Sequence, residues 1–261
     1  MSANYSFPDT TLLITHYNRS ASLERLLASF KALSCNFAEI VISDDGSKPE
    51  QLDKVEALRP AYNFRLVTTP QNMGFPHNFN KGQDAVKTPY TLYVQEDFVP
   101  APVFPEHFQD ALQFIDDDKS IDYIRFWSFY RYPTLRPYGK GYSEEIFSPW
   151  NMSHLKFFMY SDNPHLRRSN FFDKFGRYKE GLKGDVAEYK MAVSFLQNKG
   201  KALFYDEHST LFEHKNSADE PSTMHRANWR QKKSPLLLLA RWVYLRGKWL
   251  KSTWDMKFMR L

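Results

Sequence analysis

Residues 39–47 read Glu39-Ile40-Val41-Ile42-Ser43 and then Asp44-Asp45-Gly46-Ser47. A short run of β-branched residues that stops at a cluster of acidic and turn-forming residues reads as a buried strand whose end opens on polar chemistry. Working outward from it, the same shape recurs. Thr11 to Thr15 is an apolar run that ends at His16 to Arg19, and Phe64 to Thr68 ends at Thr69 to Gly74. Thr91 to Val94 ends at Gln95-Glu96-Asp97. Between these runs the spacing is helical. Ser20 is the expected cap of a helix from Ala21 to Leu33, with Leu23, Leu26, Leu27 and Phe30 on one face. Further helices are predicted over Pro49–Leu58 and Phe75–Val86. The alternation of strand and helix predicts an α/β fold with a parallel sheet and right-handed crossovers. Such sheets bind ligands at the carboxyl ends of their strands. All four of those ends carry polar clusters here, which makes this edge the candidate site.

Beyond Pro100 the pattern is less regular. Helix is predicted over Phe104–Ile115, strand over Tyr123–Trp127, and a long loop over Tyr130–Trp150, which is rich in Tyr, Pro and Gly. A helix over Val186–Lys199, with Asp185 near its start, precedes a last strand at Ala202–Tyr205. With 261 residues, 42% hydrophobic and 25% charged, the chain is globular rather than disordered or collagen-like. The single cysteine, Cys35, excludes an intramolecular disulfide framework and a CxxC zinc site. The N-terminus lacks the basic and apolar regions of a signal peptide, and no run of eighteen apolar residues is present. The net charge of +5 hides a split. Met224 to Leu261 carries ten Lys or Arg and one acid, a charge of +9, and the remainder carries −4.

Each polar cluster has a bland reading beside a functional one. Asp44-Asp45-Gly46-Ser47 suits a turn with a helix cap, and equally a pair of carboxylates that accept from a base or ribose. Glu96-Asp97 suits a solvated turn, or a hard divalent cation bound through oxygen and bridging to a diphosphate. Asp185 suits a plain helix cap, and His214 a structural histidine.

Taken together, the elements resemble the inverting glycosyltransferases of family two, which have the GT-A fold. Thr15-His16-Tyr17-Asn18-Arg19 is similar to that family's opening TYNR element, and Ser43 to Ser47 to its DDGS element. Asn72-Met73-Gly74 and Asn80-Lys81-Gly82 are similar to its paired NxG elements. Gln95-Glu96-Asp97 stands where its DxD element falls, and Gly184-Asp185 resembles the late segment that supplies the base. The resemblance runs from about Thr10 to His214. It implies a GT-A domain over 1–220, with a donor half to about 100 and an acceptor half from about 101, followed by a basic tail over 221–261.

The resemblance also implies roles. The donor is a nucleoside-diphosphate sugar, with UDP the favoured nucleotide. Tyr17 and Asp44 or Asp45 would hold base and ribose, bordered by Thr15 and Arg19, and Asn72 also falls on the donor side. Asp97, with Glu96 beside it, would hold Mn²⁺ or Mg²⁺ on the diphosphate, and His214 would be a further ligand of metal or phosphate. Asp185 would be the catalytic base. Two departures stand out. Phe79 occupies the slot where the family often has Arg, so an interaction with the diphosphate is either missing or passes to His77, Asn78 or Lys81. The metal element is Gln-Glu-Asp rather than two aspartates. The segment Tyr160 to Arg168, dense in polar groups, suits a solvated loop and equally a place near the acceptor, a glycan or lipid-linked hydroxyl of the kind used in bacterial surface polysaccharide synthesis.

The tail adds a location. Trp229, Trp242, Trp249 and Trp254 are four of the six tryptophans. Leu238, Trp242, Leu245, Trp249 and Met256 recur at helical spacing on one predicted face, with Arg241, Lys248 and Lys251 on another. That pattern predicts a helix lying in an anionic lipid interface, at the cytoplasmic face of the cell membrane. The competing reading is a helix packed on its own domain or on a twin subunit, which leaves an oligomer open. A second function class, a nucleotide- or nucleic-acid-binding protein without transferase activity, rests on the basic, Trp-rich tail. The acidic body speaks against nucleic acid as the partner.

Overall fold

The computed structural model describes residues 4–215 and 235–259. The first half alternates as expected: β1 (Tyr5–His16), α1 (Ser20–Ala32), β2 (Cys35–Asp44), α2 (Pro49–Tyr62), β3 (Arg65–Val67), α3 (Phe75–Ala85) and β4 (Tyr90–Gln95). Then come β5 (Phe98–Pro100), α4 (Phe104–Asp117), β6 (Tyr123–Arg125), β7 (Leu135–Gly139), β8 (Tyr142–Glu145) and β9 (His165–Arg168). The short α5 (Phe171–Phe175), α6 (Gly184–Gln197), β10 (Ala202–Tyr205), β11 (Phe212–His214) and α7 (Pro235–Phe258) complete the order.

Nine strands form one sheet in the order β3-β2-β1-β4-β9-β6-β10-β8-β7, so a single sheet runs through both halves. The strands β3, β2, β1 and β4 are parallel, while β9 is antiparallel to both of its neighbours, β4 and β6. The chain winds outward from β1 on one side through β2 and β3, and on the other through β4. That reversal opens a crevice at the carboxyl ends of β1 and β4.

The alternation of side chains explains why the strands are apolar without a polar face. Leu12, Ile14, Ile42, Leu92 and Val94 enter a core with Leu23, Leu26 and Phe30 of α1 and Phe104 and Phe108 of α4. Leu13, Val41 and Tyr93 point the other way, onto Phe79 of α3, Phe171 of α5 and Phe195 of α6. Gly82 lets α3 lie close, because a Cβ there would stand 2.8 Å from Leu13 Cδ1 and 2.9 Å from Ser43 Cβ.

Four expectations change. Ser20 is the first residue inside α1 and not its cap, and its hydroxyl donates to Gln51 Oε1 at 2.7 Å. The stretch Tyr130–Trp150 is not all loop but contains the β7–β8 hairpin. Pro137 sits there on the outermost strand, where a missing N–H is tolerated, so the proline masks a strand. The polar segment Tyr160–Arg168 ends in β9, in the middle of the sheet, and Arg167 is fully buried over the rings of Phe79, Phe171 and Phe172. Its charges suggest a loop throughout; residues 160–164 are loop, and His165–Arg168 form a central strand.

The fourth concerns the tail. Trp229 lies outside the described residues, as do the side chains of Leu238 and Arg241. The face read as lipid-facing is turned inward along much of α7. Trp249 Nε1 donates to Asn151 O at 3.2 Å and lies under Lys156. Tyr189 of α6 donates to Asp255 Oδ2 at 2.8 Å, and Gln197 reaches the Met256 carbonyl at 3.0 Å. Trp242 stays exposed. The outward face is apolar as well: Val243, Leu250, Trp254 and Phe258 are each more than half exposed, beside exposed Lys248, Lys251 and Lys257. Among the described residues no helix is long and apolar enough to cross a membrane.

Candidate active site at the carboxyl ends of the strands

The crevice is built from three strand ends. At the end of β1, the Thr15 hydroxyl bonds the Tyr93 hydroxyl at 2.9 Å, and both are buried. His16 accepts from the Arg19 backbone N–H on Nε2 at 3.1 Å, so its Nδ1 donates to Asp44 Oδ2, at 2.7 Å. Tyr17 is half-buried at the mouth.

At the end of β2, Asp44 is wholly occupied. Besides His16 it accepts from Ser47 N at 2.9 Å, from the Ser47 hydroxyl, and from Thr68 Oγ1 at 3.1 Å. Burial pushes its carboxyl up, but the hydrogen bonds from His16 and Ser47 outweigh this and hold it at about 2. Asp45 accepts from Met73 N at 3.0 Å and Gly74 N at 2.9 Å, which closes the turn carrying the first NxG element. Gly46 has φ +71, and a Cβ there would come within 2.3 Å of the Gln71 backbone, so only glycine fits. The two acids therefore brace the crevice wall.

The same bracing takes up two of the residues expected to make up for Phe79. Asn78 binds the Ser43 hydroxyl at 2.7 Å and the His16 carbonyl at 3.4 Å. Lys81 Nζ donates to the Asp44 carbonyl. His77 is half-buried, its Nδ1 without a hydrogen-bond partner among the described residues, and Asn72 is exposed on the adjoining loop. Phe79 itself is core.

At the end of β4 the conditions differ. Arg19 Nη1 donates to Asp97 Oδ2 at 2.8 Å and lies 3.4 Å from Glu96 Oε1. The β5–β11 ribbon pairs His214 with Phe98 and so delivers His214 Nε2 to the same Asp97 oxygen, at 3.1 Å. Asp97 Oδ1 is buried with no hydrogen-bond partner among the described residues. Burial and the negative charge of Asp97 push Glu96 up. Burial acts the same way on Asp97, but hydrogen bonds from His214 and Arg19 pull it below its ordinary value. One carboxylate is thus firmly ionised, beside another that readily takes a proton.

Among the described residues no three His, Cys, Asp or Glu side chains form a ready-made metal cage. Even so, the orphaned Asp97 oxygen and the adjacent Glu96 carboxylate are oxygen donors of the kind Mn²⁺ or Mg²⁺ takes, with the His214 imidazole beside them and phosphate oxygens to complete the shell. The residues fit the ion.

The chain is similar to known proteins. The family model for glycosyl transferase family 2 matches residues 11–178. The chain belongs to that family. The matched span runs from within β1 through β9 and includes the three strand ends just described. Among solved structures, residues 1–349 of TarS from S. aureus in complex with UDP-GlcNAc superpose with a TM-score of 0.58 at 17% identity, over 83% of this chain and 61% of that one. The same TarS segment without ligand gives 0.56 at 18% identity, over 78% and 59%. The chain therefore spans about three fifths of these TarS chains, and the likeness is one of fold. No curated protein matches the chain.

Asp185 lies in the first turn of α6, exposed, with its carboxylate accepting from the next residue's N–H at 2.9 Å. It makes no contact with the β4 end in this state. A second acidic pair lies closer: Asp162, in the polar segment named above, and Glu188, which the sequence does not single out. Gln95 Nε2 donates to the Asp162 carbonyl at 3.3 Å, the Asp162 N–H donates to Glu188 Oε1 at 3.1 Å, and Tyr178 OH donates to Asp162 Oδ1. Burial and the charge of Glu188 raise Asp162, and burial raises Glu188. Glu188 stands one turn after Asp185 on α6; that three-residue spacing is the only sequence signal for it.

Proposed function

We propose that the chain transfers a sugar, with inversion, from a nucleoside-diphosphate sugar to a hydroxyl of a glycan or lipid-linked acceptor. The observation that carries this is the meeting of Arg19, Glu96, Asp97 and His214 at the strand-order reversal, within the crevice of a sheet whose span the family matches. UDP is the favoured nucleotide, since the similar TarS structures hold UDP-GlcNAc and UDP. Tyr17 borders the base at the mouth of the crevice. Asp97, Glu96 and His214 would hold Mn²⁺ or Mg²⁺, which when bound supplies positive charge against the departing diphosphate.

The transfer is a single displacement. The acceptor oxygen bonds to the anomeric carbon as the bond from that carbon to the phosphate oxygen breaks, and the acceptor's proton passes to Asp185. Its exposure in the first turn of α6 leaves that carboxylate accessible to an acceptor. A screen of nucleotide sugars for donor hydrolysis and transfer names the substrate. With that donor, Asp185→Asn should lose transfer by about 10²–10⁴-fold while nucleotide binding, read as thermal stabilisation, persists. Transfer at the wild-type rate would remove Asp185 from the role.

We further propose that α7 rests on an anionic membrane, such as the inner face of the cell membrane, through Val243, Leu250, Trp254 and Phe258. Both sides of this helix are apolar, and only one is used in packing. Each exposed lysine near a lipid surface adds about 1 kcal/mol of attraction. Leu250→Glu with Trp254→Glu should abolish co-sedimentation with anionic liposomes at low salt without lowering the melting temperature. Equal sedimentation of both proteins would refute this face.

A further inference from the structure

Arg19 is held from two directions. The turn after β1 passes through Asn18 at φ +54, and the Arg19 backbone N–H is pinned by His16, itself pinned by Asp44. From there the guanidinium crosses the crevice to the end of β4. It reaches Asp97 Oδ2 at 2.8 Å and Glu96 Oε1 at 3.4 Å, and only 6% of Arg19 is exposed. The wall that the sequence assigns to the base and ribose therefore aims a cation at the other acid pair.

We propose that Arg19 is a resident cation that holds Glu96 and Asp97 in the nucleotide-free protein and shifts onto the diphosphate when nucleotide and divalent ion bind together. This rests on the nucleotide-sugar reading above. A divalent ion binds carboxylate oxygen at about 2.0–2.2 Å. Seated on the unpartnered Asp97 Oδ1 and on Glu96, it would stand on the two carboxylates that the guanidinium already bridges and meet the guanidinium's charge at contact range. Ion and guanidinium then compete for the same acid pair. A diphosphate offers the displaced guanidinium new ones, in a geometry that matches its planar fork. Lys81, named above as a candidate for the diphosphate, is instead committed to the Asp44 carbonyl. Binding of ion and nucleotide is then cooperative, each tightening the other by the same factor.

Mn²⁺ titrations of the full chain, read by loss of the free-ion EPR signal with and without UDP, test this. Wild type should bind Mn²⁺ at least about tenfold tighter with UDP present, a coupling of the usual allosteric size. Arg19→Gln should bind Mn²⁺ at least about tenfold tighter than wild type without nucleotide, and UDP with Mn²⁺ at least about tenfold weaker. Arg19→Lys should fall between them. Shifts of opposite sign separate this role from a structural one, which would weaken both affinities. The inference is overturned if Arg19→Gln leaves nucleotide-free Mn²⁺ affinity unchanged or lower. It is also overturned if both variants lose both affinities together with thermal stability. Failure of wild type to bind UDP would end the nucleotide-sugar reading by itself, while the nucleotide-free arm would still decide whether Arg19 excludes the ion.

Discussion

Two pairs of adjacent acids close neighbouring parts of the crevice, Asp44-Asp45 after β2 and Glu96-Asp97 after β4, and their surroundings are opposite. The first pair accepts from backbone N–H groups, hydroxyls and a histidine, and both of its side chains are engaged within the fold. The second is held by the Arg19 guanidinium and the His214 imidazole and keeps one buried oxygen without a partner among the described residues. Dipoles that are part of the scaffold stabilise a carboxylate permanently. Side chains on separate elements can be exchanged for others. The first pair is thereby fixed within the scaffold, while the second is open to the exchange proposed above, although both begin as two acids after an apolar strand.

The contrast is broken most severely at Asp97. Asp97→Asn should reduce transfer by about 10²–10³-fold, the usual loss when one preorganised electrostatic contact to a reacting group is removed. Excess EDTA should remove activity as well. Folding should suffer little, because Glu96 loses a like-charged neighbour and can take Arg19 alone. Wild-type turnover in EDTA or in the variant would show that the second pair is not the exchangeable one.

Asp44→Ala sharpens the comparison from the other side. It leaves His16, Ser47 and Thr68 without their shared acceptor. Breaking such a buried charged network costs about 3–5 kcal/mol. For a chain of this size that is a fall in melting temperature on the order of 10 °C. A thermal melt within about 2 °C of wild type would mean that the network is slack and the rigid role misplaced.

The difference between the pairs is not legible in the sequence, although nearly everything around it is. The elements β1 to β4 and their crossovers follow from apolar runs and helical spacing, which speak clearly where the inner strands β1 and β4 are buried on both faces. Strand ends with acids and glycines mark the candidate edge. What surrounds each acid comes from distant residues. His214 reaches Asp97 across 117 positions, through a three-residue ribbon too short to leave a pattern. Arg19 resembles a base-pocket residue by its motif, yet its guanidinium lands on the β4 end. Arg167 looks soluble and is core, because stacking on three rings replaces solvent. The tail shows the same limit: α7 is apolar on both sides, so a face chosen by spacing alone is largely the one turned inward.

The smallest expected effect, and the most direct comparison of the pairs, is on the pH dependence of stability. Asp44 is lowered in the folded protein from 3.8 to about 2. A lowered carboxyl stabilises the fold above its unfolded value and loses that contribution as pH falls through the folded one. The loss amounts to about 2 kcal/mol between roughly pH 4 and pH 2. Glu96 is raised, so the sign reverses: its contribution is full below 4.5 and is lost as pH rises past that value toward neutrality. Acidification from neutral pH should therefore first strengthen the fold at the second pair and only later weaken it at the first. Urea unfolding over a pH series separates the two. Glu96→Gln should flatten the limb above pH 4.5, and Asp44→Asn should flatten the limb below about pH 4. If Glu96→Gln leaves the upper limb unchanged, Glu96 is ionised as readily as an exposed acid, and the contrast rests on Asp97 alone.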